Sequence, residues 1–126
     1  MSNDQPLVQI DLTPQYKRNL RDLAKKYRRI RLDTQPIIEE LQQGNFTGDG
    51  FADLSVRLAG MGENYLIFKV RVKNTDIQKG KSGGYQLIYQ VESPTSVLLL
   101  TIYAKSEVAD ISVNEINSIL AELYFQ

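Results

Sequence analysis

The chain has no cysteine and no histidine among its 126 residues. Without them, neither a Ser-His-Asp nor a Cys-His nucleophilic site can be assembled, and zinc or non-haem iron would lack their usual nitrogen and sulfur ligands. Acid–base chemistry would have to come from Lys, Tyr, Asp or Glu. Because the absence of cysteine gives no evidence for an oxidising compartment, we expect a cytoplasmic protein that uses no metal or other cofactor.

Long apolar runs are also absent. The longest, Val97 to Leu100, is far shorter than the ~18 residues of a membrane span, and the chain does not begin with a signal segment, so we expect no membrane partner. The length and the 42% hydrophobic content favour a single domain over residues 1–126. The terminal Leu-Tyr-Phe-Gln (123–126) resembles the remainder of an engineered protease site, and we assign it no function.

The net charge is zero, but charges of opposite sign are separated along the chain. Residues 1–32 hold eight Lys or Arg against three Asp or Glu, and residues 65–91 hold five against one. The ranges 33–64 and 92–126 are acidic. Local fields of one sign attract oppositely charged ligands even on a neutral protein. The alternative is that these blocks are solvated faces of their helices and strands.

Hydrophobic spacing and turn residues predict the element order β-α-α-β-β-β-α. The predicted strands cover 7–12, 65–73, 85–92 and 97–104. The predicted helices run from a Thr13-Pro14 start to about 31, from an Asp33-Thr34 cap to Gly44, and from a capping box at 112–115 to about 123. The pattern indicates an α+β fold with a small, largely antiparallel four-stranded sheet and helices packed on one face.

Basic residues alternate with apolar ones along the predicted strand 65–73. Because successive side chains of a strand point to opposite faces, Lys69, Arg71 and Lys73 share one face, which we call the basic strand face. Lys79 and Lys81 extend it through the following turn. This arrangement suits a phosphate-binding surface, although the solvated side of a half-buried sheet would have the same pattern.

The next two strands place further polar and planar groups beside these cations. Alternation puts Gln86 and Gln90 on one face of the third strand and Tyr85 on the other. On the fourth strand it puts Thr101 and Tyr103 opposite the apolar Leu98, Leu100 and Ile102. Cations that hold phosphate beside planar groups that contact bases are typical of RNA recognition.

The segment FKVRVKNTDIQKGKSGGYQLIYQV, followed by VLLLTIYAKSE, resembles the RelE-like branch of the RelE/ParE toxin superfamily, most strongly over residues 65–107. The resemblance implies the toxin of a type II toxin–antitoxin pair, neutralised by a cognate antitoxin protein. RelE-like members cut mRNA on the ribosome, whereas ParE-like members poison DNA gyrase. Codon preference and oligomeric state do not follow from the resemblance.

The resemblance also implies site residues. The arginine of the family's Gly-Tyr-Arg strand start falls on Gln86, and the second arginine, after the fourth strand, has no counterpart among Lys105, Ser106 and Glu107. Glutamine cannot supply charge to a transition state. The implied catalytic residues are Lys69, Arg71, Lys73, Lys81 and Gln86, and the implied RNA contacts are Lys79, Tyr85, Tyr103 and Lys105.

The implied reaction is metal-independent attack of the RNA 2′-hydroxyl on the adjacent phosphate. Arg71 and Lys81 would hold the phosphate, Lys69 or Lys73 would be the base, and a tyrosine would stack on a nucleobase. Gln86 predicts an attenuated nuclease. Two alternatives stay open: a non-catalytic toxin-like protein that inhibits gyrase or only binds antitoxin, and a housekeeping domain whose basic sheet face is merely solvated.

Overall fold

The computed structural model describes residues 7–50, 66–77, 83–108 and 110–124 and is an α+β fold with three helices and a five-stranded mixed sheet. In chain order the elements are β1 Gln9–Leu12, α1 Pro14–Lys26, α2 Ile30–Gln42, β2 Asp49–Gly50, β3 Leu66–Val72, β4 Tyr85–Ser93, β5 Ser96–Ala104 and α3 Val113–Tyr124. The predicted order is recovered with the two-residue β2 added, so the predicted four-stranded sheet has five strands. None of the described helices is both long and apolar enough to cross a bilayer.

The described sheet has the order β1-β5-β4-β3-β2. β1 pairs with β5 in parallel, and the other neighbours are antiparallel. The short edge strands follow from their sequences, because β1 ends at the Thr13-Pro14 helix start and β2 contains a glycine. β4 lies at the centre, paired along its length with β3 and β5.

Helices cover both faces of the sheet, so the prediction that they pack on one face is wrong. Side chains of α1 and α2 form one core with one face of β3, β4 and β5. On the other face, Ile116, Ile119 and Leu120 of α3 pack against Ile88 of β4 and against β5. α3 is required there because apolar residues on this face would otherwise be exposed to water.

A bulge in β5 explains why this second face is apolar. Leu99 and Thr101 pair with consecutive residues of β4, so Leu100 has no direct partner. The extra residue changes the alternation of side chains, and Leu98 and Leu100 lie in the same cluster as Tyr103. The prediction that they lie on the face opposite Tyr103 is therefore wrong.

Two of the predicted helix ends are confirmed by their capping contacts. The Thr13 hydroxyl accepts a 2.9 Å hydrogen bond from the Tyr16 N–H at the start of α1. At the end of α2, Gly44 has φ +88° and its N–H donates to the Leu41 carbonyl. The left-handed conformation of a glycine there is the usual way to end a helix.

The junction between α1 and α2 differs from the prediction. α1 ends at Lys26 and α2 begins at Ile30, before the predicted Asp33-Thr34 cap. The Asp76 carboxylate accepts a 2.9 Å hydrogen bond from the Arg29 N–H, and the Asp33 carboxylate instead binds Thr75. Both acidic residues therefore tie α2 to the loop after β3, a contact between segments distant in sequence.

Gly48, which directly precedes β2, provides a test of how closely the backbone there approaches β3. Its φ is +108°, and a Cβ atom there would lie 2.5 Å from the Lys69 carbonyl oxygen. We expect Gly48→Ala to lower the free energy of unfolding by more than the about 1–2 kcal/mol of left-handed strain alone. Gly44→Ala is the matched control, because Gly44 also has a positive φ (+88°), but a Cβ atom there would meet no neighbouring heavy atom within 4 Å. Equal losses in urea titrations of the two variants would contradict this close approach.

Buried tyrosines predict a loss of stability at high pH. Burial raises the pKa of Tyr16 to about 12, and it raises the pKa of Tyr89 as well. The native state then keeps phenolic protons that the unfolded chain releases near pH 10, so stability is complete below about pH 10 and falls as the pH rises towards 12. We expect Tyr16→Phe to reduce this fall by up to about one proton, or about 1.4 kcal/mol per pH unit, above pH 10 in urea titrations from pH 8 to 12. An unchanged slope would contradict the burial of that phenol.

Candidate nucleic-acid interface

The predicted alternation along β3 is confirmed. Val70 and Val72 are buried in the core formed with α1 and α2. Lys69 and Arg71 lie on the opposite face, the one that α3 partly covers. Arg71 is exposed and Lys69 is half-buried. Lys73 follows the strand directly and is exposed.

Three strands bring different groups of this face into one row. Arg71 of β3 pairs with Gln86 of β4, which pairs with Tyr103 of β5. Gln86 is 7% exposed and Tyr103 is 8% exposed. Of these three residues, Arg71 is exposed at one end of the row, while Gln86 and Tyr103 are buried. Within the row, only Arg71 can therefore contact a ligand directly.

The cations continue towards the end of the sheet. The Lys105 N–H donates a 2.9 Å hydrogen bond to the carbonyl of Gly84, which precedes β4. Lys105 is half-buried. Lys79 and Lys81, expected to extend the basic strand face, lie outside the described residues.

The carboxylate of Asp110 lies beside this face. Its Oδ1 is 3.7 Å from the Lys69 Nζ and accepts hydrogen bonds from the Tyr103 hydroxyl (3.2 Å) and the Ile111 N–H (3.0 Å). Burial, followed by the negative charge of Asp110, raises the pKa of Tyr103 to about 12. Tyr103 therefore stays protonated and acts as a hydrogen-bond donor that orients the carboxylate.

Both tyrosines expected to contact RNA, Tyr85 and Tyr103, are buried. Tyr85 has no exposed surface and packs edge-on against Tyr27, with ring centroids 5.8 Å apart, in the core beneath α1 and α2. Tyr103 is held between the sheet and the segment before α3. Neither ring can stack on a nucleobase in this structure, and we leave both out of the RNA-contacting set. Both rings are buried because an aromatic side chain contributes more stability inside a core than it does on an exposed sheet face.

α3 makes the candidate surface narrower than the sequence indicates. It covers the middle of the face, where Gln86 and Gln90 are buried. The Oε1 atoms of both glutamines are without a hydrogen-bond partner among the described residues. The accessible part is a strip along β3, formed by Lys69 and Arg71 of the strand and by Lys73 directly after it.

Asp110 was not predicted from the sequence, because only the fold brings its carboxylate close to Lys69. It lies in the short connection between β5 and α3 and matches no motif. Its proximity to Lys69 depends on the register of β3, β4 and β5 and on the docking of α3. The described residues contain no group of three or more acidic side chains placed to hold a metal ion.

Neither protein-family models nor curated proteins give a match for this chain.

Proposed function

We propose that the chain is a metal-independent endoribonuclease of the RelE type, the toxin of a type II toxin–antitoxin pair, acting on mRNA at the ribosome. The observation that carries the proposal is the placement of Arg71, exposed on the sheet between Lys69 and Lys73 and in register with Gln86. The order β-α-α-β-β-β-α, apart from the added β2, supports a RelE-like topology. A cytoplasmic location and a cognate antitoxin belong to the same proposal.

The spacing of the cations suits one phosphodiester. Residues two apart on a strand are about 7 Å apart, so Lys69 lies at about that distance from Arg71 within β3, and Lys73 directly follows the strand beyond Arg71. A guanidinium can bind a phosphate through two parallel hydrogen bonds. Arg71 would therefore hold the phosphate to be cleaved, with neighbouring lysines on the adjoining phosphates.

The reaction would use the RNA's own 2′-hydroxyl. Its oxygen attacks the adjacent phosphorus, the bond from phosphorus to the 5′-oxygen breaks, and the products are a 2′,3′-cyclic phosphate and a 5′-hydroxyl. One group must take the 2′ proton and another must give a proton to the departing 5′-oxygen. The positive charge of Arg71 would stabilise the negative charge that develops on the phosphate oxygens.

Asp110 is the better placed proton acceptor. Lys69, one of the two lysines expected to act as the base, is ion-paired with that carboxylate, which suits the role of a fixed cation. The hydrogen bonds from Tyr103 and Ile111 orient the carboxylate at the Lys69 end of the strip. Lys73, beyond Arg71 at the other end, would give its proton to the 5′-oxygen. The base and the acid then lie on opposite sides of the phosphate.

We expect Arg71→Ala to reduce cleavage about 10²–10³-fold, because it removes the charge nearest the reacting phosphate. The assay would add the purified chain to a translating extract, map cuts by primer extension, and label new 5′-hydroxyl ends with polynucleotide kinase. Glu122→Gln, which removes an exposed charge on α3, is the control and should cleave normally. Absence of cuts with the unaltered chain, or full activity in Arg71→Ala, would overturn the proposal.

Replacing Asp110 separates its proposed chemical role from its structural one. Asp110→Asn keeps an oxygen that can accept from Tyr103 but cannot take a proton at neutral pH, so we expect at least about 10²-fold slower cleavage. RNA affinity should be equal or higher, because one negative charge is lost. The basic residues of the strip are unchanged in this variant. A loss of affinity at an unchanged cleavage rate would assign Asp110 a structural role only.

A specific observation favours a second, non-catalytic function. Gln86 occupies the position where the family has an arginine, and it is buried. A toxin-like chain without that charge could inhibit gyrase or only bind an antitoxin. Inhibition of DNA supercoiling by purified gyrase in the presence of the chain, without RNA cleavage, would favour the gyrase role. Antitoxin binding without either activity would favour the other.

A further inference from the structure

A second basic surface lies on α1, the α1–α2 connection and the start of α2, and these helices cover the opposite face of the sheet from the basic strand face. We call it the helical basic surface. Its members are all exposed. They are Lys17, Arg18, Arg21, Lys25, Arg28, Arg29 and Arg31. Asp22 is the only acidic residue between positions 13 and 32.

Helix stability does not explain this arrangement. Lys17, Arg21 and Lys25 follow one another at intervals of four residues, so like charges are neighbours and repel. α1 has no acidic residue in its first turn, where Lys17 opposes the helix dipole, whereas Lys25 in the last turn favours it. A helix selected only for stability would intersperse glutamate. Residues that act against the local rules of stability are expected where a surface has a function.

Few carboxylates compensate these charges. Among the described residues, Lys25 lies 4.0 Å from Asp22, the Asp76 carboxylate accepts a hydrogen bond from the Arg29 N–H, and Arg18 contacts the amide of Gln15. Lys26, which points to a different side, forms the 2.5 Å ion pair with Glu107 and is not part of the surface. The helical basic surface therefore keeps most of its positive charge for a ligand.

The surface fits a phosphate backbone better than a protein. Protein interfaces have a core rich in aromatic and apolar residues and depleted in charged residues. Of the exposed large hydrophobic residues among those described, only Leu32 lies in α1 or α2. Lys17 to Lys25 spans two helical turns, about 12 Å, and these cations lie within about 100° around the helix axis.

The surface also fits a duplex better than a single strand. Proteins that bind single strands stack bases on exposed aromatic rings. The two tyrosines of this region point inward, since Tyr16 is buried and Tyr27 packs against Tyr85. Cations without a stacking platform contact phosphates and do not read bases.

We infer that the helical basic surface binds the backbone of an RNA duplex without sequence preference. The inference goes beyond the proposed nuclease and uses none of its residues. A chain with both surfaces could hold structured RNA on one side while the strip along β3 meets a single strand on the other.

The test measures binding of the full chain to a blunt 20-base-pair RNA duplex by fluorescence anisotropy between 50 and 200 mM salt. The variant combines Lys17→Gln, Arg21→Gln and Lys25→Gln. Each lost phosphate contact reduces the slope of log K against log salt by about 0.9. We therefore expect the slope to fall by about two to three, with affinity at least tenfold weaker at 100 mM salt. The urea concentration at which this triple variant unfolds should equal or exceed that of the unaltered chain, because repulsion among the three cations is removed.

The control is the double variant Arg71→Gln with Lys73→Gln. It should keep the duplex affinity and salt slope while it loses RNA cleavage. Duplex binding in a chain that never cleaves RNA would contradict the proposed nuclease and leave this inference intact. Unchanged duplex binding in the triple variant would overturn the inference. Stronger binding to poly-glutamate than to the duplex, lost in the triple variant, would overturn it in favour of an acidic protein partner.

Discussion

Burial of β4 on both faces is the constraint on which the rest of the structure depends. Every side chain from Tyr85 to Val91 is buried, with α1 and α2 on one side and α3 on the other. A shift of one residue in its pairing with β3 would turn Lys69 and Arg71 towards the core beneath α1. The large penalty for burying unpaired charge therefore fixes the register. The same register aligns Arg71 with Gln86 and brings the segment before α3 close to Lys69.

Local signals in the sequence predicted the features that depend on a few neighbouring residues. These include the Thr13 cap, the glycine at the end of α2 and the alternation of Lys69 and Arg71 along β3. The errors arise from contacts between distant segments. The bulge at Leu100 reverses which residues of β5 face α3, and no local pattern marks it. The candidate site was therefore predictable as a set of cations, but its coverage by α3 and the proximity of Asp110 were not.

The connection between β5 and α3 is held by three contacts with different elements. Glu107 pairs with Lys26 of α1, Asp110 pairs with Lys69 of β3, and Tyr103 donates to Asp110. Exposed ion pairs contribute only about 0–1 kcal/mol each, so their main effect is on position. They place a carboxylate at the border of a basic strip without neutralising Arg71. A neutral chain thereby keeps two positive surfaces, because most acidic side chains near them serve such structural contacts.

Burial explains why position 86 carries a neutral side chain. Gln86 is 7% exposed, and an arginine at that depth would need a carboxylate partner to offset the loss of hydration. Asp110, an acidic residue beside this face, is already paired with Lys69. A neutral amide can remain in this place with one oxygen unsatisfied, whereas an unpaired guanidinium would be driven out towards Arg71 and repel it. The exposed positive charge on this face of the paired strands therefore lies on β3, and the packing of α3 that closes the core is also what buries position 86 of β4.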